Sequence, residues 1–383
     1  MPSTLRGTAS GRLGDVLDAV VVGGGASGLA LVRRLALDGW ADRHVLLVDD
    51  HRHPVSARSW ACWSSRSMSP APAATWSSLH VHADGHDIFV RLRDHRYHLV
   101  RGADLWRAVE AAVGGAPGFE VRRGSVEAVR DTREGAEVLV DGEAVRARWA
   151  FDSRPPDPGS SVDVWLSFHG WQVRTATGAF DPSVPTLMDF RTPQRGEVRF
   201  VYVLPTGPRE ALVELTRFGA AGELDGSDDL GGYLDSVLRP GPYEVVGEES
   251  GVLPLAARPP RPRGGHVLPI GNRGGMLKVS TGYAYARIQR DSAAVSASLV
   301  RHGHPFDLPA PSARHRFLDA VLLEVVARDP GSVERAFARL FSSNSGDVVL
   351  RFLDEATSRV QEARLVATLP RAPFLRAAAR LRR

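Results

Sequence analysis

Apolar and polar positions divide the chain into a few well-marked stretches. Asp18 precedes an apolar run, Ala19 to Val22, which reads as a buried parallel strand. Leu29, Val32, Leu35 and Ala36 then recur at helical spacing, and Gly39 stands where a C-cap belongs. A second apolar run, HVLLV, ends at Asp49. The stretch YHLVRGADLWRAVEAAVGG predicts a short strand and then a helix over 104–113. From Phe119 to Pro155 the chain alternates like strands, with turn signals at Glu134-Gly135 and Asp141-Gly142. The run HVLPIG is followed by a long helix over roughly 283–302. Residues 60–100 and 160–260 interrupt these pieces and read as mostly β. Within them, RFVYVLP and EALVELTRF form a hairpin turning at Thr206–Arg209. Alternation puts Glu210, Leu212, Glu214 and Thr216 on one face of its second strand, which reads as the wet one. Ala211, Val213 and Leu215 take the other.

The pattern therefore predicts an α/β protein of three parts. Residues 1–60, 101–155 and 260–303 form a discontinuous dinucleotide-binding domain of Rossmann type. Residues 61–100 and 156–259 form an inserted, mostly-β substrate domain, and 304–383 a helical C-terminal region with a basic tail.

A chain of 383 residues is long enough for such a division. With 43% hydrophobic and 24% charged residues it has the balance of an ordinary soluble globular protein. A net charge of +4 is too small for a dedicated nucleic-acid binder, so no nucleic-acid partner is expected. One cysteine, Cys62, excludes an intrachain disulfide framework and fits a reducing cytoplasm. No zinc-type Cys/His spacing is present, and no metal site is expected. The first seventeen residues lack an apolar core, so no signal peptide is expected, and no uncharged apolar run reaches the length of a membrane span. The tail RAPFLRAAARLRR carries five arginines and no acid. Two readings of it stay open: a basic amphipathic helix on an anionic membrane surface, or a solvated terminus. The expected location is cytoplasmic, with a peripheral position on the inner face of the membrane as the variant of that reading.

Candidate chemistry starts at the first glycines. Gly23, Gly25 and Gly28 fit G-x-G-x-x-G between a strand and a helix, with Asp49 twenty-one residues after Gly28. Gly23 permits the tight turn, Gly25 lets the backbone approach a pyrophosphate, and Gly28 allows close helix–strand packing. The helix that begins near Ala26 stabilises phosphate charge, and Asp49 takes ribose hydroxyls. Such a motif near the N-terminus, followed by a stretch that is not Rossmann-like, favours FAD over NAD. The second glycine turn, with Gly271, Gly274, Gly275 and Met276, precedes the long helix and aims its amides at the flavin. Arg101 either contacts the pyrophosphate or lies on the surface. Aromatic residues concentrate in the β-rich part, among them Trp60, Trp63, Trp171, Phe190, Tyr202 and Phe218. They line an apolar pocket or simply build a core. Lys278 is the only lysine among the 48 basic residues, held between a glycine pair and a Ser-Thr-Gly turn.

Taken together, RSWACW (58–63), FDSRP (151–155), HGWQV with FDPSVPTLMDF (169–190), FVYVLP with ALVELT (200–216), GVLPL (251–255) and IGNRGGMLKVSTGYAYARIQ (270–289) resemble the FAD-dependent lycopene cyclase family of the bacterial β-cyclase type. The resemblance implies a three-layer, flavin-monooxygenase-like FAD fold and an enzyme active with reduced FAD. NAD(P)H or another reductant would be the electron source. The implied reaction is a non-redox cyclisation of a linear polyprenyl hydrocarbon such as lycopene: alkene protonation, ring closure and proton loss. It also implies that Arg58, Val126 and Thr281 join the glycines, Arg101 and Lys278 around the cofactor, with the Lys278 ammonium offsetting the reduced ring. Glu214, in Val213-Glu214-Leu215-Thr216, is implied as the acid. The partner is then an apolar carotenoid or polyprenyl chain drawn from a membrane or droplet; no oligomeric state is implied. The family usually has Pro where Val279 stands and Met where Leu255 stands. It usually carries a second acid or an aromatic where Leu215 stands. Those departures leave open a cyclase of another linear terpenoid, an FAD-dependent monooxygenase or epoxidase, and a prenyl reductase.

Overall fold

The computed structural model describes residues 16–52, 54–155, 162–256, 261, 264–310 and 312–382. The stretch 1–15, expected to carry no leader, and Arg383 of the basic tail lie outside the described residues.

The first apolar run is β1 (Leu17–Val22), flanked in parallel by β2 (Val45–Asp49) and β11 (Glu143–Asp152). β8 (Phe119–Arg123) extends the sheet beyond β2, also in parallel. β11 serves two ladders. Its first half pairs antiparallel with β10 (Ala136–Val140), which carries β9 (Val126–Asp131), and its last residues pair in parallel with β17 (Val267–Pro269). The apolar runs are unbroken because both faces are covered. Ala19, Val21, Val45 and Leu47 pack with α1 (Ala26–Leu37), α2 (Gly102–Val113) and α4 (Tyr285–His302), whereas Val20, Val22, Leu46 and Val48 pack with the β9–β11 meander. The result is the expected three-layer ββα arrangement. The predicted helices start within two residues of the observed ones.

A second seven-stranded sheet contains β5 (Ser78–Ala83), β6 (His86–Arg91), β12 (Val164–Thr175), β13 (Thr186–Asp189), β14 (Val198–Gly207), β15 (Glu210–Gly219) and β16 (Tyr243–Leu255), in the order β16-β12-β15-β14-β13-β5-β6. β3 (Ser59–Ser64), β4 (Ala74–Trp76) and β7 (Arg96–Arg101) make a small sheet of their own. One face of the seven-stranded sheet packs on α3 (Ser227–Tyr233) through Val201, Val213 and Leu215. The other packs on α5 (Ala313–Arg328), α6 (Gly331–Ser343) and α7 (Gly346–Leu353) through Leu166, Phe200, Leu212 and Phe218.

This corrects the reading of β15. The face expected to be wet is interior: Leu212 is 6% and Thr216 2% exposed. Only Glu210, at the hairpin end, reaches outward to Arg174 at 3.1 Å. The cause is the C-terminal helical region, which folds back over the sheet; strand alternation reports polarity, not what a distant segment covers. Asp347, in the first turn of α7, fastens that cover. Its carboxylate accepts from the backbone N–H of Arg93, Asp94 and His95 at 2.8–3.0 Å.

The C-terminal region ends in α8 (Arg359–Thr368) and, in the basic tail, α9 (Arg371–Arg380). Pro373 sits in the first turn of α9, where a missing N–H costs nothing. Ala377 is buried and Phe374 and Ala378 pack inward, while Arg376 and Arg380 approach Asp329 and Glu324 of α5. Leu375 is left outward among the arginines. Among the described residues no helix is long and apolar enough to cross a membrane.

Candidate functional site

Two glycine turns meet at the start of α1. Gly23 has φ 96°, open to glycine and strained for other residues, and a Cβ on Gly28 would collide with its carbonyl oxygen. Beside Gly25 there is open space, and α1 begins with neither a side-chain cap nor an acid in its first turn. Its free amides therefore face outward at a position shaped for an anion. Asp49 accepts from the Gly24 N–H at 2.6 Å, which ties the end of β2 to the turn. Gly271 packs against Ser27, where a Cβ would lie 2.9 Å from the serine Cβ, so the second turn closes on the first. Gly274 and Gly275 shape that turn, and Met276 leaves it with its N–H on the Gly271 carbonyl at 2.9 Å. These residues fit a dinucleotide. Thr281 is buried beyond them, just before α4, whose N-terminus likewise has no side-chain cap and no acid. Val126 opens β9 and is half-buried. Arg101 is exposed at the N-cap of α2. Arg58 donates to the Ser250 carbonyl of β16 instead of lying free for a phosphate.

The Lys278 turn closes on itself through Gly282 N–H to the Lys278 carbonyl at 2.7 Å, and its side chain meets carboxylates of the C-terminal helical region. The ammonium donates to both Asp319 oxygens at 2.7 Å and to Glu355 at 2.9 Å, with only 5% of the residue exposed. Arg287 joins Glu355 at 3.0 Å. Burial would raise the Glu355 carboxyl, but the Lys278 and Arg287 charges hold it down at about 2. A compact point charge satisfying two carboxylates in a dry space explains why this one position is lysine; a planar guanidinium is a poor substitute.

The acid site lies on the covered face of the second sheet. Register places Glu249 of β16 and Glu214 of β15 each opposite Gly170 of β12, and Tyr202 of β14 opposite Glu214. One row thus reads Glu249, Gly170, Glu214, Tyr202. Glu214 lies deep among protein atoms while keeping some accessible surface. Burial raises its carboxyl strongly, the Glu249 charge raises it further, and a Thr216 hydroxyl at 3.3 Å offsets a little. Glu249, 6% exposed, is raised by burial and held back by the Ser59 amide and by Arg58. Beside this row the Tyr97 and Tyr283 hydroxyls are 2.7 Å apart, and the Tyr202 ring meets that of Tyr283 edge-on at 6.4 Å. Burial lifts all three phenols, which keeps them neutral. Tyr283 stands in the turn before α4, so the glycine-turn loop touches the carboxyl row through it.

Of the aromatic candidates, Trp63, Phe190, Tyr202 and Phe218 belong to this cluster, with the Trp63 ring 4.5 Å from that of Tyr283. A small cavity of about 20 Å³ opens there, lined by Cys62, Trp63, Lys278, Thr281, Tyr283 and Ala284 among others. Two candidates lie elsewhere. Trp171 points to the α3 side, because it is one residue out of phase with Gly170, and Trp60 stacks on Tyr285 in the core under α4. Sequence reasoning missed Glu249, Tyr97 and Tyr283. Glu249 stands two residues before GVLPL, and its signal was a strand placing one acid of Glu248-Glu249 inward. On the β5–β6 hairpin, His80, His82 and Asp87 bring three potential ligand atoms within 4.8 Å, a grouping that sequence spacing did not show. His80 Nδ1 already meets the Asp87 carboxylate at 2.7 Å.

The sequence matches the lycopene cyclase protein family over residues 18–379. Lycopene beta-cyclase from Paracoccus sp. (strain N81106 / MBIC 01143) is 30% identical over 285 residues, which is 70% of each chain. Solved structures share the fold at low identity. A geranylgeranyl bacteriochlorophyll reductase-like protein from Thermoplasma acidophilum superposes with a TM-score of 0.58 at 14% identity, over 95% of this chain and 96% of that one. A mutant of the flavin-dependent brominase Bmp2 gives 0.56 at 13% identity, over 95% and 99%. A mutant of the halogenase PltM in complex with FAD gives 0.55 at 11%, over 96% and 86%.

Two stability measurements follow from these environments. Lys278→Met should lower unfolding free energy by about 3–5 kcal/mol in urea, because Asp319 and Glu355 lose their partner in a dry site; a loss under about 1 kcal/mol would contradict the buried pairing. Glu214 and Glu249 have folded pKa values above that of a free carboxyl, so the native state holds a proton that the unfolded chain has released. Their contribution is present at low pH and disappears as pH rises from about 4.5 to about 8. Melting temperature should therefore fall less steeply over that window in Glu214→Gln than in the wild type; parallel curves would count against it.

Proposed function

The chain belongs to the lycopene cyclase protein family, and from that premise we propose that it closes a ring in a linear carotenoid such as lycopene, with FAD bound at the paired glycine turns. The observation that carries the reading is one carboxyl, Glu214, raised by burial inside an aromatic cluster that the glycine-turn loop reaches through Tyr283. Protonating an alkene needs a neutral acid shielded from water, and a free carboxyl is ionised at neutral pH. Burial under α5 and α6 removes that obstacle here.

In the proposed sequence Glu214 gives its proton to a carbon of the terminal alkene, leaving a tertiary cation. An internal alkene attacks that cation, forming the ring bond, and a proton is lost from a neighbouring carbon to a carboxylate of the site. Substrate and product are isomers, so electrons balance without an oxidant or reductant. The ring faces of Trp63, Tyr202 and Tyr283 stabilise passing positive charge, and the three neutral phenols add no competing base. Reduced FAD, when bound, supplies an electron-rich ring whose negative charge favours a nearby cation, and NAD(P)H or another reductant would keep it reduced. Gly23, Gly25, Gly28, Asp49 and the turn of Gly271, Gly274 and Gly275 would hold it. α9 offers Leu375 with flanking arginines for transient contact with the membrane that stores the substrate.

The test is anaerobic incubation of lycopene with the protein and dithionite-reduced FAD, with product read by mass and retention. A cyclised product of unchanged mass is expected; a product two hydrogens heavier would mean reduction, and oxygen uptake coupled to turnover would mean oxygenation. Glu214→Gln should lower the rate at least about 100-fold while FAD stays bound, and wild-type turnover by that variant would remove Glu214 from the mechanism.

A further inference from the structure

We infer that Glu249 is a positioning partner of Glu214, and that Gly170 is the gap across which the two carboxyl groups hold a single proton between them. The acid role of Glu214 rests on the function proposed above; the pairing does not. Three observations support it. First, Glu249 and Glu214 lie two strands apart on the same face, about 10 Å between backbones. Any side chain on the intervening strand would separate them, and the residue there is glycine. Secondly, Glu214 leans into that gap: a Cβ on Gly170 would lie 3.3 Å from both its Cβ and its Cγ, tight enough to push it away. Thirdly, one oxygen of Glu249 is accounted for and the other is not. Oε2 accepts from the Ser59 N–H at 2.8 Å, whereas Oε1 is buried with no hydrogen-bond partner. A buried carboxylate oxygen left bare is costly, and a shared proton removes the cost.

The groups around the pair set how the proton is divided. From the β3 side come the Ser59 amide and Arg58, which favour the ionised form at Glu249. From β7, β14 and the turn before α4 come the phenols of Tyr97, Tyr202 and Tyr283, and from β15 the Thr216 hydroxyl. On the opposite face of the sheet His169 and Glu248 pair with each other, away from the row. Among the described residues the cation that acts on the pair, Arg58, therefore sits at the Glu249 end. Glu249 carries the negative charge and Glu214 keeps the proton, since two like charges on one dry face of the sheet do not both ionise. Glu249 thus acts through Glu214: it holds the acid in its neutral form into the neutral range, and its charge remains beside any cation that forms.

The experiment is an infrared pH titration of the full-length holoprotein without substrate, following the carbonyl stretch of protonated carboxyl groups. Wild type should show a band that disappears with a midpoint between about 7 and about 8. In Glu249→Gln that midpoint should fall by at least about one pH unit, because glutamine keeps the Ser59 contact but removes the charge. In Gly170→Ala, which keeps both carboxyls and separates them, it should also fall. Wild-type midpoints in both variants would overturn the pairing, and if one variant does not fold the other decides. The alkaline limb of the cyclisation rate should move with the band. A protein that shows the paired titration yet makes no cyclic product keeps the pairing and loses the proposed reaction; a cyclase that needs Glu214 but has an unmoved band keeps the reaction and loses the pairing.

Discussion

Keeping one carboxyl group from water is the constraint on which the rest of this structure depends. Glu214 is an acidic side chain on a strand whose neighbours alternate like an ordinary surface strand. What changes its chemistry is the C-terminal region, which carries α5 to α7 across the sheet and leaves Leu212, Thr216 and Phe218 on that face interior. Desolvation disfavours the charged form of an acid. The cover also needs its own fastening. Asp347 takes three backbone amides of the 93–95 loop, and Lys278 takes Asp319 of α5 and Glu355 after α7. Those contacts keep the helices where they exclude water from the carboxyl row.

Two halves with different tasks meet at one residue. The Rossmann-like sheet, with α1, α2 and α4 on one face and the meander on the other, shapes two glycine turns around an uncapped helix N-terminus. The second sheet supplies the carboxyl row. Tyr283 leaves the second glycine turn and places its hydroxyl 2.7 Å from that of Tyr97 and its ring beside Tyr202, which neighbours Glu214 across the β14–β15 ladder. A group bound at the glycine turns and a substrate beside Glu214 would share that tyrosine as a common wall. A reductase-like protein, a halogenase and a flavin-dependent brominase share this fold at 11–14% identity.

Much of the frame was legible in the chain, for physical reasons. Unbroken apolar runs mark β1 and β2 because both faces of a parallel strand are buried, and G-x-G-x-x-G is legible because no side chain can stand at Gly28. What could not be read depends on distant segments. The face of β15 was misjudged because its cover comes from about a hundred residues downstream. Lys278 drew attention by its rarity, but its partners, Asp319 and Glu355, meet it only in the folded state. Trp171 was grouped with the pocket on composition, although its phase relative to Gly170 sends it to the opposite side. Glu249 was passed over because an acid on a strand edge looks solvated until β12 and β3 close around it.

The central claim is that a sequestered carboxyl hands a proton to an alkene and that the ring closes without net oxidation or reduction. Solvent-isotope labelling addresses it most directly. When lycopene turns over anaerobically in deuterium oxide with reduced FAD, each ring formed should carry one deuterium at the carbon that was protonated, with no other change in hydrogen count. A ring formed without deuterium, or a product that has gained hydrogen in pairs, would contradict it.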